Sequence, residues 1–273
     1  MRRSGGFIAG VLVYIGAVIA LLPVLWLLRT AFEGTGGPLV KMPTLWPTTP
    51  TLANFSAVFT PEVMGKLVNS IIVTIGATLL ALAAGFPAAY ALARGGWPRQ
   101  LDKLFLGAVL LLKLTPPIAL AIPLYQVLRL FGLLDTLLGL IIVYQVYALP
   151  FAIWMLLGFV RDIPISYEEA AVLDGAKLGK RLSTVVLPIM APGVAATAIF
   201  LVILSWNEFL YALLFIQSPS NFTLPTYIAT LITEDQTYWG PLAAIGLVAS
   251  LPVLALVGVV QKSMTRGFAG GLK

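Results

Sequence analysis

The chain has no cysteine and no histidine. The first absence removes disulfides and thiol chemistry, and the second removes any histidine-based triad. Together they remove the usual ligands of zinc, haem and copper. Neither a catalytic residue nor a metal site is expected. Charge is scarce as well. Only 10% of the residues are charged, against about 25% in a soluble globular domain. That deficit excludes a soluble domain of this length.

What the chain has instead is apolar residues. They make up 59% of the sequence, and the mean hydropathy is +0.98. A bilayer core about 30 Å thick is crossed by about 20 apolar residues in a helix. Six runs qualify, at 7–29, 67–92, 104–125, 137–160, 188–215 and 240–261. The expectation is an all-α polytopic membrane protein, with one transmembrane domain over residues 1–273. The first run follows MRRSGG and resembles a signal peptide. It is too long for one and lacks a clear A-x-A cleavage site, so it reads as the first span.

An even number of spans puts both termini on one side. Arg2, Arg3, Arg94, Arg99, Lys103, Arg161, Lys177, Lys180, Arg181, Lys262, Arg266 and Lys273 then share that side. Arg29, Lys41, Lys66 and Arg129 lie on the other, and Lys113 falls within a span. The excess marks the first side as cytoplasmic. The net charge of +6 is thus a topology signal, not a nucleic-acid footprint. Prolines at 23, 87, 116, 117, 123, 150, 192 and 252 sit within the runs. Each removes a backbone donor, so bent helices are expected, from bundle packing or around a path that opens and closes.

The segment EEAAVLDGAKLGKRLSTVVLPIMAPG, residues 168–193, is unusually charged for this chain. Ser166 followed by Glu169 has capping-box spacing, which predicts a helix from about Tyr167. Tyr167, Ala170, Ala171 and Asp174 share one of its faces. Gly175 suits the left-handed turn that ends it. A second short helix is expected over about 176–186, with Leu178, Leu182 and Val185 on one face. Leu187-Pro188 then leads into the fifth span. On spacing alone this is either a solvated, capped loop or a small-residue knob for docking. The stretch Gly175-Ala176-Lys177-Leu178-Gly179-Lys180 is not a phosphate loop. Asp174 stands where its first glycine belongs, and Arg181 where Ser or Thr would hold magnesium.

Glu169, Ala170, Ala171, Gly175, Val185, Leu187 and Pro188 resemble the signature E-A-A-x3-G-x9-I-x-L-P of ABC-importer permeases. Valine for isoleucine is the one departure. Asp174-Gly175-Ala176, Ser205-Trp206-Asn207-Glu208-Phe209, Tyr90-Ala91-Leu92-Ala93-Arg94 and the tail from Arg266 to Lys273 are similar to the carbohydrate branch, in particular the shorter, six-span permease of maltose-type systems. The resemblance implies that the 166–186 loop is a coupling helix on a soluble ATPase subunit. Tyr167, Glu169, Ala170, Ala171, Asp174, Gly175 and Ala176 would carry the docking. It also implies an ATPase dimer holding ATP and magnesium, a second homologous permease, and an extracytoplasmic substrate-binding protein. The location would be a bacterial or archaeal cytoplasmic membrane. The chain itself would hold no cofactor, bind no nucleic acid and catalyse no covalent change.

Polar residues within the spans are candidates for the substrate path. Lys113 lies in the third span, where it lines the path, snorkels or pairs within the bundle. Tyr144, Gln145 and Tyr147 form one polar-aromatic cluster. Trp206, Asn207, Glu208 and Tyr211 form another, with Glu208 expected to face an aqueous cavity. Flat aromatic faces with hydrogen-bonding groups suit sugars. Within the same architecture, Lys113 would suit anionic cargo and Glu208 a polyamine. An ion-driven secondary transporter would need buried ion sites, for which Glu208 is the one acid within a span. An intramembrane enzyme has no His, Cys or acid pair to work with.

Overall fold

The computed structural model describes residues 3–34, 46–96, 98–232 and 239–270. Among the described residues the chain is helical, with one isolated antiparallel bridge between Glu33 and Pro50. The elements are α1 (Arg3–Ala31), α2 (Ala53–Ser56), α3 (Pro61–Arg94), α4 (Arg99–Leu114), α5 (Pro117–Leu130), α6 (Leu137–Val143) and α7 (Gln145–Asp162). They are followed by α8 (Ser166–Leu173) and α9 (Leu178–Trp206). The last are α10 (Leu210–Phe215), α11 (Leu224–Thr230) and α12 (Trp239–Gly270).

Among the described residues, three helical stretches are long and apolar enough to cross a bilayer: Gly10–Ala31, Pro61–Arg94 and Leu178–Trp206. The α6–α7 pair, bent by 45° at Tyr144, makes a fourth if taken as one span. The run expected at 104–125 is two helices. Pro116 and Pro117 supply no N–H, and Thr115 is held extended ahead of them, at φ −72° and ψ 124°, as a residue before proline prefers. The run expected at 188–215 is also broken, at 207–209, with no proline there. The Asn207 amide donates back to the Ile203 carbonyl at 2.7 Å, a local bond that competes with the helical ladder.

Conversely, no break occurs at Leu187-Pro188. The expected second loop helix and the fifth span form the single helix α9. Its residues Leu182–Val186 make a π-helical turn, with Leu187 N–H bonded to the Leu182 carbonyl. The wider turn lies where the Pro188 ring would press on the carbonyl four residues back.

Contacts divide the chain into two compact units, Met1–Gly65 with Tyr227–Pro252 and Lys66–Thr226 with Val253–Lys273. In the first, the C-terminal end of α1 anchors the segment after it. Arg29 pairs with Glu33 at 2.8 Å. The Glu33 carboxylate accepts from the backbone N–H and hydroxyl of both Thr48 and Thr49. The Thr48 hydroxyl above all holds the Glu33 carboxyl below the usual carboxylate range. Asn54 completes the anchor by donating to the carbonyls of Ala31 and Glu33 at 2.9 and 2.7 Å.

In the second unit α7 is central. Its Ala148, Ala152, Leu156 and Val160 are fully buried. Gly193 of α9 lies flat on the Phe159 ring, where a Cβ would come within 2.5 Å, the close approach that small residues give helices in lipid. In the turn before α6, Asp135 sits at φ 57° and accepts from the backbone N–H groups of Gln217 and Ser218, each at 2.9 Å.

Candidate functional site

The 166–176 segment forms a knob. Helix α8 begins one residue earlier than its spacing predicts. Ile165 takes the cap position, and Ser166 is the first helical residue, making no side-chain cap. The capping box is therefore not formed. Backbone carbonyls take its place: Tyr167 N–H donates to Pro164, and Glu168 and Glu169 N–H both donate to Ile165. Glu169 is thereby left free of capping, and it is exposed. The far end closes as expected. Gly175 adopts φ +79°, its N–H bonds to the Val172 carbonyl, and Ala176 N–H bonds to the Ala171 carbonyl, both at 2.9 Å. This double bond is the Schellman motif. Tyr167, Glu169, Ala170, Asp174 and Gly175 are exposed, while Ala171 and Ala176 are half-buried. Leu173, next to them, is 89% exposed.

The underside of the knob holds a residue that the sequence alone did not single out. Glu168 is 4% exposed. Its Oε1 accepts from Arg94 Nε at 2.8 Å, and its Oε2 pairs with Arg181 Nε at 3.3 Å and accepts from the Tyr90 hydroxyl. Arg181 Nη2 also donates to Tyr90 Oη at 2.8 Å. Arg94 Nη2 donates to the carbonyls of Val160 and Ile163, at 3.0 and 2.6 Å, closing the end of α7. The sequence signal was faint: Tyr90 and Arg94 one turn apart on α3, and a second acid beside Glu169.

The three helix interruptions converge elsewhere in the same unit, on a cavity of about 420 Å³. The α4–α5 break contributes Thr115 and Pro117, the start of α7 contributes Tyr147, and the α9–α10 break contributes Glu208 and Tyr211. The Tyr147 and Tyr211 rings are stacked at 6.5 Å, and Tyr211 stacks on Phe215 at 5.7 Å. The Glu208 carboxylate accepts from the N–H groups of Tyr211 and Ala212, at 2.9 and 3.3 Å, and so caps α10. The Tyr211 hydroxyl donates to the Pro117 carbonyl at 3.3 Å. The site is thus an aromatic-lined cavity with one carboxylate, in which Tyr211, 3% exposed, packs against both Tyr147 and Phe215.

The structure brings Tyr147, Glu208 and Tyr211 to this cavity. Tyr144 lies behind them, fully buried, with its hydroxyl on Glu208. Gln145 turns away and donates to the carbonyls of Ala77 and Ile141 at 3.2 and 2.8 Å. Trp206 is buried, and Asn207 is exposed and bonded back to α9. The Lys113 side chain lies outside the described residues. Among the described residues there is no cluster of acids suited to a metal ion.

Residues 81–268 match the family of binding-protein-dependent transport system inner membrane components. The chain is 36% identical over 255 residues to the trehalose transport system permease protein SugB of Mycobacterium tuberculosis, covering 92% of both chains. It is 32% identical over 267 residues to the trehalose/maltose transport system permease protein MalG of Thermococcus litoralis, covering 94% of this chain and 93% of that one. Its fold is similar to a chain in the crystal structure of a bacterial ABC transporter that imports the acidic polysaccharide alginate. The TM-score there is 0.81 at 22% identity, covering 96% of this chain and 98% of the other.

Proposed function

Because the chain belongs to the binding-protein-dependent transport system inner membrane components, a family of transport subunits and not of enzymes, we propose that it is the permease subunit of an ATP-driven carbohydrate importer. A separate ATPase dimer binds ATP with magnesium and docks on the 166–176 knob. A second homologous permease supplies the other half of the path, and an extracytoplasmic binding protein delivers the sugar. Six crossings of a prokaryotic cytoplasmic membrane, with α4–α5 and α9–α10 as broken spans, leave both termini and the knob on the cytoplasmic side.

The observation that carries this reading is the knob itself. Its motif residues Tyr167, Glu169, Ala170, Asp174 and Gly175 are displayed on the surface. A merely solvated loop needs neither the buried brace at Glu168 nor a face of small residues flanked by exposed Leu173. The sugar assignment rests on the trehalose and maltose permeases among its relatives. The partly exposed Tyr147 ring beside Glu208 supports it, since a flat ring covers the apolar face of a pyranose. Substrate contacts are assigned to Tyr147, Glu208 and Tyr211.

The test is to purify the chain with its co-expressed partners in mild detergent, identify them by mass, and reconstitute the complex in proteoliposomes. An ATPase and one homologous permease should co-purify, and ATP-dependent uptake should saturate with a neutral oligosaccharide. Uptake of polyamines or anions alone would replace the cargo. A chain that purifies alone and moves substrate on an ion gradient would overturn the reading and make Glu208 the centre of the mechanism.

A further inference from the structure

Glu168 ties together three elements, two of which, α3 and α9, also share an apolar core. Arg94 comes from the end of α3, and Arg181 from the first turn of α9. Glu168 itself points inward from α8, opposite Tyr167 and Ala170, which are exposed. Glu168 is buried and the two arginines are half-buried, 16% and 23% exposed, beside an apolar cluster in which Ala89, Leu156, Val160 and Val186 are at 0% exposure. Burying an ion pair contributes little to stability, because desolvation offsets the attraction, and an apolar replacement is often as stable. Such a network is better explained by the fixed geometry it imposes. Each carboxylate oxygen has its own arginine, and the Tyr90 hydroxyl bridges the second pair.

The two arginines connect Glu168 to two helices that line the cavity, α7 and α9. Arg94 grips the last carbonyls of α7, and α7 runs back to Tyr147. Arg181 belongs to α9, which continues without a break to Trp206, two residues before Glu208. At about 1.5 Å per residue, α9 is a rod about 43 Å long. A load on the outer face of α8 therefore reaches both cavity walls through one carboxylate.

We infer that Glu168 is a positioning residue that joins the docking helix to the cavity-lining helices, through Arg94 to α7 and through Arg181 to α9. This rests on the importer reading above. Removing the joint leaves the docking face intact but lets α8 move without the rods, so ATP is hydrolysed without transport.

The experiment measures ATP hydrolysed per sugar imported, in proteoliposomes holding the whole complex. Glu168→Gln keeps the shape and removes the charge. It should raise that ratio about tenfold, within the usual range for a coupling between sites, while the ATPase still co-purifies. Glu168→Asp keeps the charge and should recover part of the coupling. A purely structural role would lower complex yield and transport together at an unchanged ratio, and that result overturns the inference. If Glu168→Gln fails to assemble, Arg181→Met carries the test, since it cuts the link to α9 and leaves the Arg94 pair. A raised ratio in that variant supports the joint, and an unchanged ratio overturns it. A wild-type complex that imports no sugar overturns the importer reading instead.

Discussion

Replacing Gly175 separates the two ways in which the knob can matter. Its φ of +79° belongs to the left-handed region, and nothing lies within 4 Å of where a Cβ would stand. A side chain there meets no resistance within the chain, so the cost is conformational. For alanine that cost is about 1–2 kcal/mol, local to the turn. It falls on the Schellman bonds of Gly175 and Ala176 and not on the helix core. Aspartate tolerates the left-handed region better than alanine. It adds bulk and a third carboxylate to a surface that already carries Glu169 and Asp174. If the knob were only a turn, Gly175→Asp would be milder than Gly175→Ala. If it docks on an ATPase, the order reverses. We expect both variants to insert in normal amounts. Gly175→Asp should lose ATPase co-purification and uptake. Gly175→Ala should lower uptake by about 5–30-fold at most, the factor that one to two kcal/mol supplies. Immunoblots of membranes, co-purified ATPase and labelled-sugar uptake read the three quantities. Wild-type uptake in Gly175→Asp would refute docking through this surface.

Ser166 makes no side-chain cap. Ser166→Ala should therefore change stability by less than about 0.5 kcal/mol and leave uptake unchanged; a thermal shift matching a loss of about 1 kcal/mol would restore the capping box. The chain has no cysteine and Ser183 is exposed, so Ser183→Cys should react with an impermeant thiol reagent only from the cytoplasmic face. Labelling from outside would overturn the proposed orientation. The Glu33 carboxyl is lowered in the folded chain from its ordinary value of 4.5. Its stabilisation of the Thr48–Asn54 segment should be complete above that value and fade as pH falls through the lower folded one. Protease protection of residues 46–60 should decline on acidification, and Glu33→Gln should remove that dependence. A profile flat from about pH 3 to pH 7 would refute it.

The turn at Gly175 was legible in the sequence because Gly175 and its neighbours obey a local rule that needs no tertiary partner. The helix breaks were less so. Prolines 116 and 117 interrupt a helix, yet Pro188 and Pro192 do not, because a π turn ahead of Pro188 makes room. The break at 207–209 carries no proline at all. The polar clusters misled in a different way. Gln145 points about 100° away from Tyr144 and bonds to the Ala77 and Ile141 carbonyls, while Tyr144 touches Tyr147 but is buried behind it, so only Tyr147 lines the cavity. Glu168 and Glu169 look alike in sequence. Their fates, buried brace and exposed contact, are set by Tyr90 and Arg94 on α3, more than seventy positions away.

The π turn at Leu182–Val186 also fixes a phase. It holds one residue more than an α-helix of the same rise would. Winding the same five residues as a regular α-helix would press the Pro188 ring on the carbonyl four residues back. It would also rotate everything before the turn by about 100° about the axis. Arg181 would swing away from Glu168 and Tyr90, while Gly193 and Thr197 kept their seats against α7. The surplus residue acts as a spacer between two registers, one read by the bundle and one by the docking end. An α9 rewound without the π turn would still suit the membrane but would present Arg181 on the wrong side.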